Sequence, residues 1–376
     1  MGGELLRPRL KRTIEAIEVP EGDLILMRSC AEDIRVERPD RNERDLLEAL
    51  DGNHSVADLE ARFGSGEVRE TLAKMEDLNL IEDAAEEDRL APSVRERFDR
   101  QLRYFGDVSR PGSTTPAESQ LRLASARVAI LGVGGLGGRT AMELASIGVG
   151  ELWLADGDRV ETSNLNRQIQ YTEADVGNIK VEAMAARLRS FNSAITATTS
   201  SERLESEEQI VEFIAGADIV VDAADWPTHE IERWCNSACF ATGIPYIAMS
   251  HFPPIARVGP LYVPGKTGCF ACQEIEYRRD YPLYDIAVEQ RRAKPLPAGT
   301  LGPACGLTGG LVATEVMHFL TGITPPRTLG AGYTMDLRSF ELERYEVVAD
   351  PSCEVCGGTA ARPGPSCAEE AGSAAG

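Results

Sequence analysis

The stretch Ala126–Gly138, "ARVAILGVGGLGG", decides how the rest of the chain is read. Its first half is a short apolar run, the pattern of a strand buried on both faces. It ends in glycines at 132, 134 and 137, the register GxGxxG, and "RTAMELASIG" follows as a helix closed by Gly148. Glycines at those positions allow a tight turn and a close approach of backbone amides to a ligand. The helix N-terminus adds partial positive charge. Taken alone, the motif says only that a nucleotide binds here.

The same alternation continues outward. "ELWLAD" is a second strand, "IKVEAMAARLRSF" a helix, "DIVVDAAD" another buried strand and "ERWCNSACFATG" another helix. "PYIAMSH", "ARVGPLYV" and "GYTMDLRSFELERYEVV" read as further strands. Strands alternating with helices predict an α/β fold, a Rossmann-like, mainly parallel sheet with helices on both faces.

Bulk properties bound the rest. A chain of 376 residues, 43% hydrophobic, is long enough for two domains. A net charge of −21 argues against nucleic acid or an anionic membrane as the main partner. The start "MGGELLRPRLKR" lacks a signal-peptide core, and no apolar run approaches a membrane span, so a soluble, cytoplasmic protein is expected. Of nine cysteines, four form two CxxC pairs, which does not fit a secreted disulfide framework.

Residues 1–90 read as a small separate unit. "DLILMRS" and "DIRVERP" alternate like short strands. Three helical stretches come next: one ending at Gly52, one from an N-cap at Ser55 to Gly64, and one placing Val68, Leu72, Met75 and Leu78 or Leu80 on one face. This is a winged-helix pattern. DNA binding is disfavoured, because Glu67, Glu70, Glu76, Asp77, Glu82 and Asp83 outnumber Arg69 and Lys74 along the third helix and its exit. The element order resembles PqqD-like domains, which recognise leader segments of peptides that are later modified. The other reading is a docking or dimerisation domain. Residues 91–120 are expected as a helix and a Pro/Ser/Thr-rich linker, 121–357 as the nucleotide domain, and 358–376 as a disordered tail containing Cys367.

Asp156 ends the second strand, where an acid accepts hydrogen bonds from ribose hydroxyls. The residues after it separate the hypotheses: "DGDRVETSNLNRQ" adds Asp158, Ser163, Asn164, Arg167 and Gln168, and Lys180 opens the next helix. A dinucleotide does not need these cations. A triphosphate does, and cations placed against it stabilise a pyrophosphate leaving group. Asp225 ends the strand "DIVVDAAD", at the carboxyl edge where ligands gather, and a carboxylate there can hold Mg²⁺. Asp222 inside the apolar run reads as structural, and Asp218 as the exposed start of the strand.

Residues Arg97 to Gly357 resemble the ThiF/MoeB/HesA group, bacterial relatives of ubiquitin-activating enzymes. The matching pieces are "RFDRQ", "GVGGLGG", "ADGDRVETSNLNRQ", "VGNIK", "VDAAD", "NSACFATGIPYI", "GCFACQE" and "CEVCG", in the family's order. The resemblance implies ATP-dependent adenylation of a carboxylate. It implies that Gly135, Asp156, Ser163 to Arg167, Lys180 and Asp225 surround ATP and Mg²⁺, with Gly132, Gly134, Gly137, Asp158 and Gln168 beside them. Arg100 of "RFDRQ" would reach the site of a partner subunit, which implies a homodimer. Arg100, Arg167, Lys180 and Asp225 are the catalytic candidates. Cys269, Cys272, Cys353 and Cys356 fit a closed, structural zinc site. A redox CxxC would explain one pair and not two.

The pattern also breaks in places. Several relatives carry a cysteine in the loop between the first CxxC and the "GP" turn near Pro303; here the loop "QEIEYRRDYPLYDIAVEQRRAKPLPAGTLGP" has none. Cys305 just beyond, and Cys235 and Cys239 on a helix, read as buried structural residues. "WPTHEIERW" replaces the usual turn after Asp225, so Trp226 either contacts the nucleotide or packs. His229 is expected to be an inert surface residue and His251 structural. The substrate is expected to be a ribosomal precursor peptide or a ubiquitin-like sulfur carrier ending in Gly-Gly. A non-catalytic leader-peptide-binding protein and an NAD-dependent oxidoreductase are the alternatives; the oxidoreductase leaves Arg167, Lys180 and the four cysteines unexplained.

Overall fold

The computed structural model describes residues 5–28, 31–110, 112–294 and 299–357. The tail 358–376, with Cys367, lies outside the described residues. The chain divides after Leu123 into two units, with Thr321–Pro325 belonging to the first.

In the first unit, β1 (Pro8–Leu10) later pairs with a strand beyond the helices. Then β2 (Glu15–Glu18), β3 (Leu24–Met27) and β4 (Ile34–Val36) form an antiparallel sheet in that order. Three helices come after them: α1 (Arg41–Ala49), α2 (Val56–Phe63) and α3 (Ser65–Asp77). Asp40 and Ser55 cap α1 and α2, each accepting from the amide three residues on, while Glu43 and Asp58 bond back. Leu46, Leu59, Phe63, Val68, Leu72 and Met75 make the core with Leu26. Leu80 is buried and Leu78 is 47% exposed, because α3 stops at Asp77 and the chain turns into β5 (Ile81–Asp83), the partner of β1.

α4 (Pro92–Val108) and α5 (Pro116–Ser125) complete the stretch to the second unit. The second replaces the end of the expected linker. Thr115 Oγ1 accepts the Glu118 amide at 3.1 Å and Pro116 opens the helix, so a Thr-Pro-x-Glu start sits inside a composition that reads as loop.

The second unit holds one eight-stranded sheet. Its elements are β6 (Arg127–Leu131), α6 (Gly135–Ser146), β7 (Glu151–Ala155), α7 (Lys180–Phe191) and β8 (Thr196–Ser200). Next come α8 (Glu207–Ile214), β9 (Ile219–Asp222), α9 (Glu230–Thr242), β10 (Tyr246–Phe252) and β11 (Ile255–Tyr262). The last are α10 (Phe270–Asp280), α11 (Tyr284–Ala293), α12 (Gly302–Thr321), β12 (Ala331–Asp336) and β13 (Leu342–Glu346). The order across the sheet is β13-β12-β11-β10-β9-β6-β7-β8. From β10 to β8 the neighbours are parallel; β11, β12 and β13 extend the sheet antiparallel. Val128 to Leu131 and Ile219 to Val221 are fully buried, as the unbroken apolar runs require.

The sheet is therefore the expected α/β one, with more helix than composition suggests. "QEIEYRRDYPLYDIAVEQRRA" is not a loop but most of α10 and all of α11. These helices bury few apolar side chains, so no 3.6-residue stripe marks them. α12 carries glycines at 302, 306, 309 and 310, which depress helix propensity. Gly309 lets it approach α6: a Cβ there would stand 3.0 Å from the Arg139 Cβ. "GYTMDLRSFELERYEVV" is a hairpin, β12 and β13, and not one strand. Among the described residues no helix is long and apolar enough to cross a membrane.

Candidate active site and metal centre

β6 and β9 are parallel neighbours whose following connections lead to opposite sides of the sheet, so a crevice opens at their carboxyl ends. The glycine turn fills its floor. Gly132 has φ +84°, and a Cβ on it would meet the Ala223 carbonyl at 2.9 Å, on the exit of β9. A Cβ on Gly137 would come within 1.9 Å of the Gly132 carbonyl. The turn is closed against its own backbone, so Gly137→Ala must open it. We expect a loss of about 1–3 kcal/mol in stability, read by thermal unfolding, together with loss of nucleotide binding in a calorimetric titration.

α6 begins at Gly135, and its N-cap Gly134 makes no side-chain cap bond. First-turn amides of such a helix lack partners within it and suit an anion. Two residues beyond the expected set hold the turn. Gln170 Nε2 donates to the carbonyls of Val133 at 3.2 Å and Gly134 at 2.9 Å, and Tyr171 donates to Val133 at 2.9 Å. Gly138 makes room for Gln170, whose Nε2 lies 2.0 Å from the place of a Cβ. Nothing local in "NRQIQY" marks these two, because their partners lie 36 to 38 residues away.

Asp156 is nearly buried and accepts from the amides of Val133 and Asp158, both at 2.9 Å. Burial pushes its carboxyl above the usual range, and the Lys180 ammonium opposes that. Lys180 is itself buried. Its Nζ lies 2.9 Å from Asp158 Oδ2 and 3.8 Å from Asp156 Oδ1. Arg203, in the turn after β8, donates to the other oxygen of Asp158 at 2.7 Å. Sequence reasoning did not single out Arg203.

Asn164 is buried and shapes the connection, its Oδ1 accepting the Glu161 amide at 3.0 Å. Ser163 bonds Glu161 through its hydroxyl at 3.1 Å, and its carbonyl accepts from Arg167 Nη1 at 3.0 Å. The stem of Arg167 runs past Gly135, with Cγ 3.5 Å from the place of a Cβ. Gln168 is buried, with Oε1 lacking a hydrogen-bond partner among the described residues, and its Nε2 is 3.6 Å from where a Gly134 Cβ would stand. These contacts join Gly134, Gly135, Ser163, Arg167 and Gln168.

Asp225 is exposed on the exit of β9, three residues past Asp222. Asp222 is buried, as expected, and desolvation raises its carboxyl well above the ordinary value. Asp218 accepts the Arg127 amide at 2.7 Å from the exposed start of β9. Trp226 is 45% exposed, and the Arg203 guanidinium lies 4.7 Å over its ring. Arg100 is exposed on α4 of the first unit.

The remaining histidines and cysteines have structural surroundings. His229 has φ +66° at the N-cap of α9, with Nδ1 3.7 Å from Glu232. His251 is buried, and its Nδ1 shares a hydrogen with Thr300 Oγ1 at 3.1 Å; burial lowers its pKa. Cys305 is buried with Sγ 2.7 Å from the place of a Gly135 Cβ. Cys235 and Cys239, one turn apart on α9, face one another at 4.0 Å inside the core.

The two CxxC pairs converge at the start of α10. Sγ–Sγ distances are 3.8 Å for Cys269–Cys272, 3.5 Å for Cys269–Cys353 and 3.3 Å for Cys272–Cys356. All four sulfurs lie within 4.8 Å of one another, and all four residues are buried. Four ligands about 2.3 Å from one zinc at tetrahedral angles stand roughly 3.8 Å apart, so the cluster fits. Cys269 donates to the Cys272 sulfur and the Asp350 amide adds a second bond, which together lower the Cys272 thiol, while that same donation and burial raise Cys269.

Comparison with known proteins gives the same outline. A model of the ThiF family matches residues 98–355. The sulfur carrier protein ThiS adenylyltransferase of Escherichia coli is 34% identical over 270 residues, 71% of this chain and 97% of the relative. The SAMP-activating enzyme E1 of Haloferax volcanii is 33% identical over 250 residues, 64% of this chain and 83% of the relative. Among solved structures, E. coli MccB with ATP is alike in fold, with TM-score 0.73 at 24% identity over 93% of this chain and 99% of that one. The microcin C7 biosynthetic enzyme MccB with N-formylated MccA gives TM-score 0.74 at the same identity and coverage.

Proposed function

We propose, because this chain belongs to the ThiF family and is an ATP-dependent adenylyltransferase of the ubiquitin-activating type, that it activates the carboxylate of a ribosomal precursor peptide as an acyl-adenylate. The observation that carries the nucleotide assignment is Lys180, buried at the rim of the glycine turn between two carboxylates. A buried ammonium there answers a polyphosphate, and hydride transfer has no use for it.

The chemistry is one of charge. A substrate carboxylate is ionised at neutral pH, since its unperturbed pKa is about 4, and it needs no general base. Its obstacle is repulsion from the phosphates. The amides of Gly134 and Gly135 take the phosphate oxygens, and Arg167 and Lys180 neutralise and align them. Asp156 accepts from ribose hydroxyls. Mg²⁺ held at Asp225 would further neutralise the departing pyrophosphate. Ser163, Asn164 and Gln168 shape the wall, and Trp226 borders the nucleotide. In a homodimer, Arg100 of one copy completes the site of the other. The four cysteines would hold a structural zinc ion, using all four of its positions. The protein acts in the cytoplasm.

Three features support a peptide substrate. The first unit, with a three-stranded sheet followed by three helices, lies largely outside the family match and suits leader recognition. The fold likeness to MccB extends over 93% of the chain, beyond the 71% shared with the ThiS adenylyltransferase. The segment from Gln273 to Pro303 also carries no cysteine to receive an acyl group. A sulfur carrier ending in Gly-Gly is the second reading, favoured by the 34% identity to an enzyme named for ThiS.

ATP–pyrophosphate exchange separates the two. Exchange dependent on a short peptide encoded beside the gene is the expected result. Exchange with a Gly-Gly carrier alone would assign the protein to sulfur transfer. No ATP binding at all would leave a peptide-binding protein on an adenylating fold.

A further inference from the structure

Asp158 is shared by two cations. Lys180 holds one carboxylate oxygen at 2.9 Å and Arg203 the other at 2.7 Å. Arg203 comes from a different connection, 45 residues on, and two features steer it there. Its guanidinium lies over the Trp226 ring at 4.7 Å. Gly157, beside Asp158, leaves the space its stem occupies: a Cβ would stand 2.4 Å from Arg203 Cγ and 3.2 Å from its backbone nitrogen. The turn from Asp156 to Asp158 is thus shaped around Arg203.

The arrangement raises a question of partners. Lys180 is engaged with two carboxylates, yet its role on the phosphates requires it to leave them. Without a second cation, its departure would strand the Asp158 carboxylate beside the arriving triphosphate, with like charges at close range. Arg203 removes that cost. It holds Asp158 through Nη2 while its guanidinium stacks on the Trp226 ring. It is not buried, with a side chain 49% exposed, so it stays hydrated while paired.

We infer that Arg203 is a positioning residue for nucleotide binding: Trp226 and Gly157 orient it, it keeps Asp158 neutralised, and Lys180 is thereby free to transfer from Asp158 to the phosphates. The inference rests on the reading of Lys180 as a phosphate-binding cation. It differs from a direct role for Arg203 on the nucleotide, because its effect runs wholly through Asp158.

A double-mutant cycle on the full-length protein tests it, with Mg·ATP as the probe in calorimetric titration. Arg203→Ala should weaken Mg·ATP binding about five- to tenfold, a modest change because the pair is half exposed. Arg203→Lys should recover most of that loss. In an Asp158→Asn background, adding Arg203→Ala should change binding by less than about twofold, since no carboxylate remains to be neutralised. Equal losses in the two backgrounds would overturn the inference, because Arg203 would then act on the nucleotide or on the fold. Unchanged binding in Arg203→Ala would also overturn it, while leaving the ATP site intact. An unaltered protein that binds no Mg·ATP would remove the nucleotide reading and this inference with it.

Discussion

Asp225→Ala should lower ATP–pyrophosphate exchange by about a hundredfold or more while leaving the protein folded. The expected loss is that of a group acting on charge that develops in the transition state, where removing one stabilising contact typically costs two to three orders of magnitude. The expected tolerance comes from position. Asp225 is exposed on the exit of β9, beyond the last ladder residue Asp222. Exposed substitutions away from caps and ion networks change stability by roughly 0.5 kcal/mol at most. Circular dichroism, the thermal midpoint and the metal content should therefore match the unaltered protein. Exchange at the unaltered rate would take Asp225 out of the mechanism. A collapsed fold would show that the residue is structural. Asp222, three residues earlier and buried, gives the contrast, because its replacement acts on the core of the sheet.

The second large effect belongs to the cysteine cluster. Unaltered protein should carry about one zinc per chain by elemental analysis, and Cys272→Ser with Cys356→Ser should carry none. These two sulfurs come from segments 84 residues apart in the chain, and they lie 3.3 Å from one another and buried. Losing the ion leaves Cys269 and Cys353 buried without the charge they would balance. A cost on the order of 5 kcal/mol is expected, and a unit of this size shifts its midpoint by about 2–4 °C per kcal/mol. A fall of roughly 10–20 °C in the thermal midpoint should result. Below that midpoint the variant should still bind Mg·ATP, since a closed site takes no part in the chemistry. A metal content near zero in the unaltered protein would dispose of the site.

How much of this was legible depends on whether a signal is local. β6 and β9 carry the unbroken, fully buried apolar runs Val128–Leu131 and Ile219–Val221, and β7 carries Leu152–Ala155 after Glu151, so they can be read directly. The glycine turn is legible for the same kind of reason: its backbone leaves no room for side chains at 132 and 137. The two CxxC pairs announce one another by composition. α10 and α11 are hidden because they bury mainly Cys272, Gln273, Glu274 and Val288, which gives no stripe. α12 is hidden by its glycines, and α5 by a proline and threonines that in fact start it. Within the site, Lys180 and Asp225 stand at strand and helix ends, where chemistry is expected. Arg203, Gln170 and Tyr171 act across distances of 36 to 45 residues, and no short pattern encodes such a contact.

The cysteine cluster also bears on the unfolded chain. Eighty residues separate Cys272 from Cys353, a span that holds most of α10, all of α11 and α12, and the β12–β13 hairpin. With an ion on its four sulfurs, that span is a closed loop even when its helices have melted. Closing a loop of such length removes about 4–5 kcal/mol of chain entropy from the disordered ensemble at 25 °C. The ends of the loop never separate while the ion stays on. Refolding of the antiparallel half of the sheet then begins with its last segment already beside α10, and the search that remains is local.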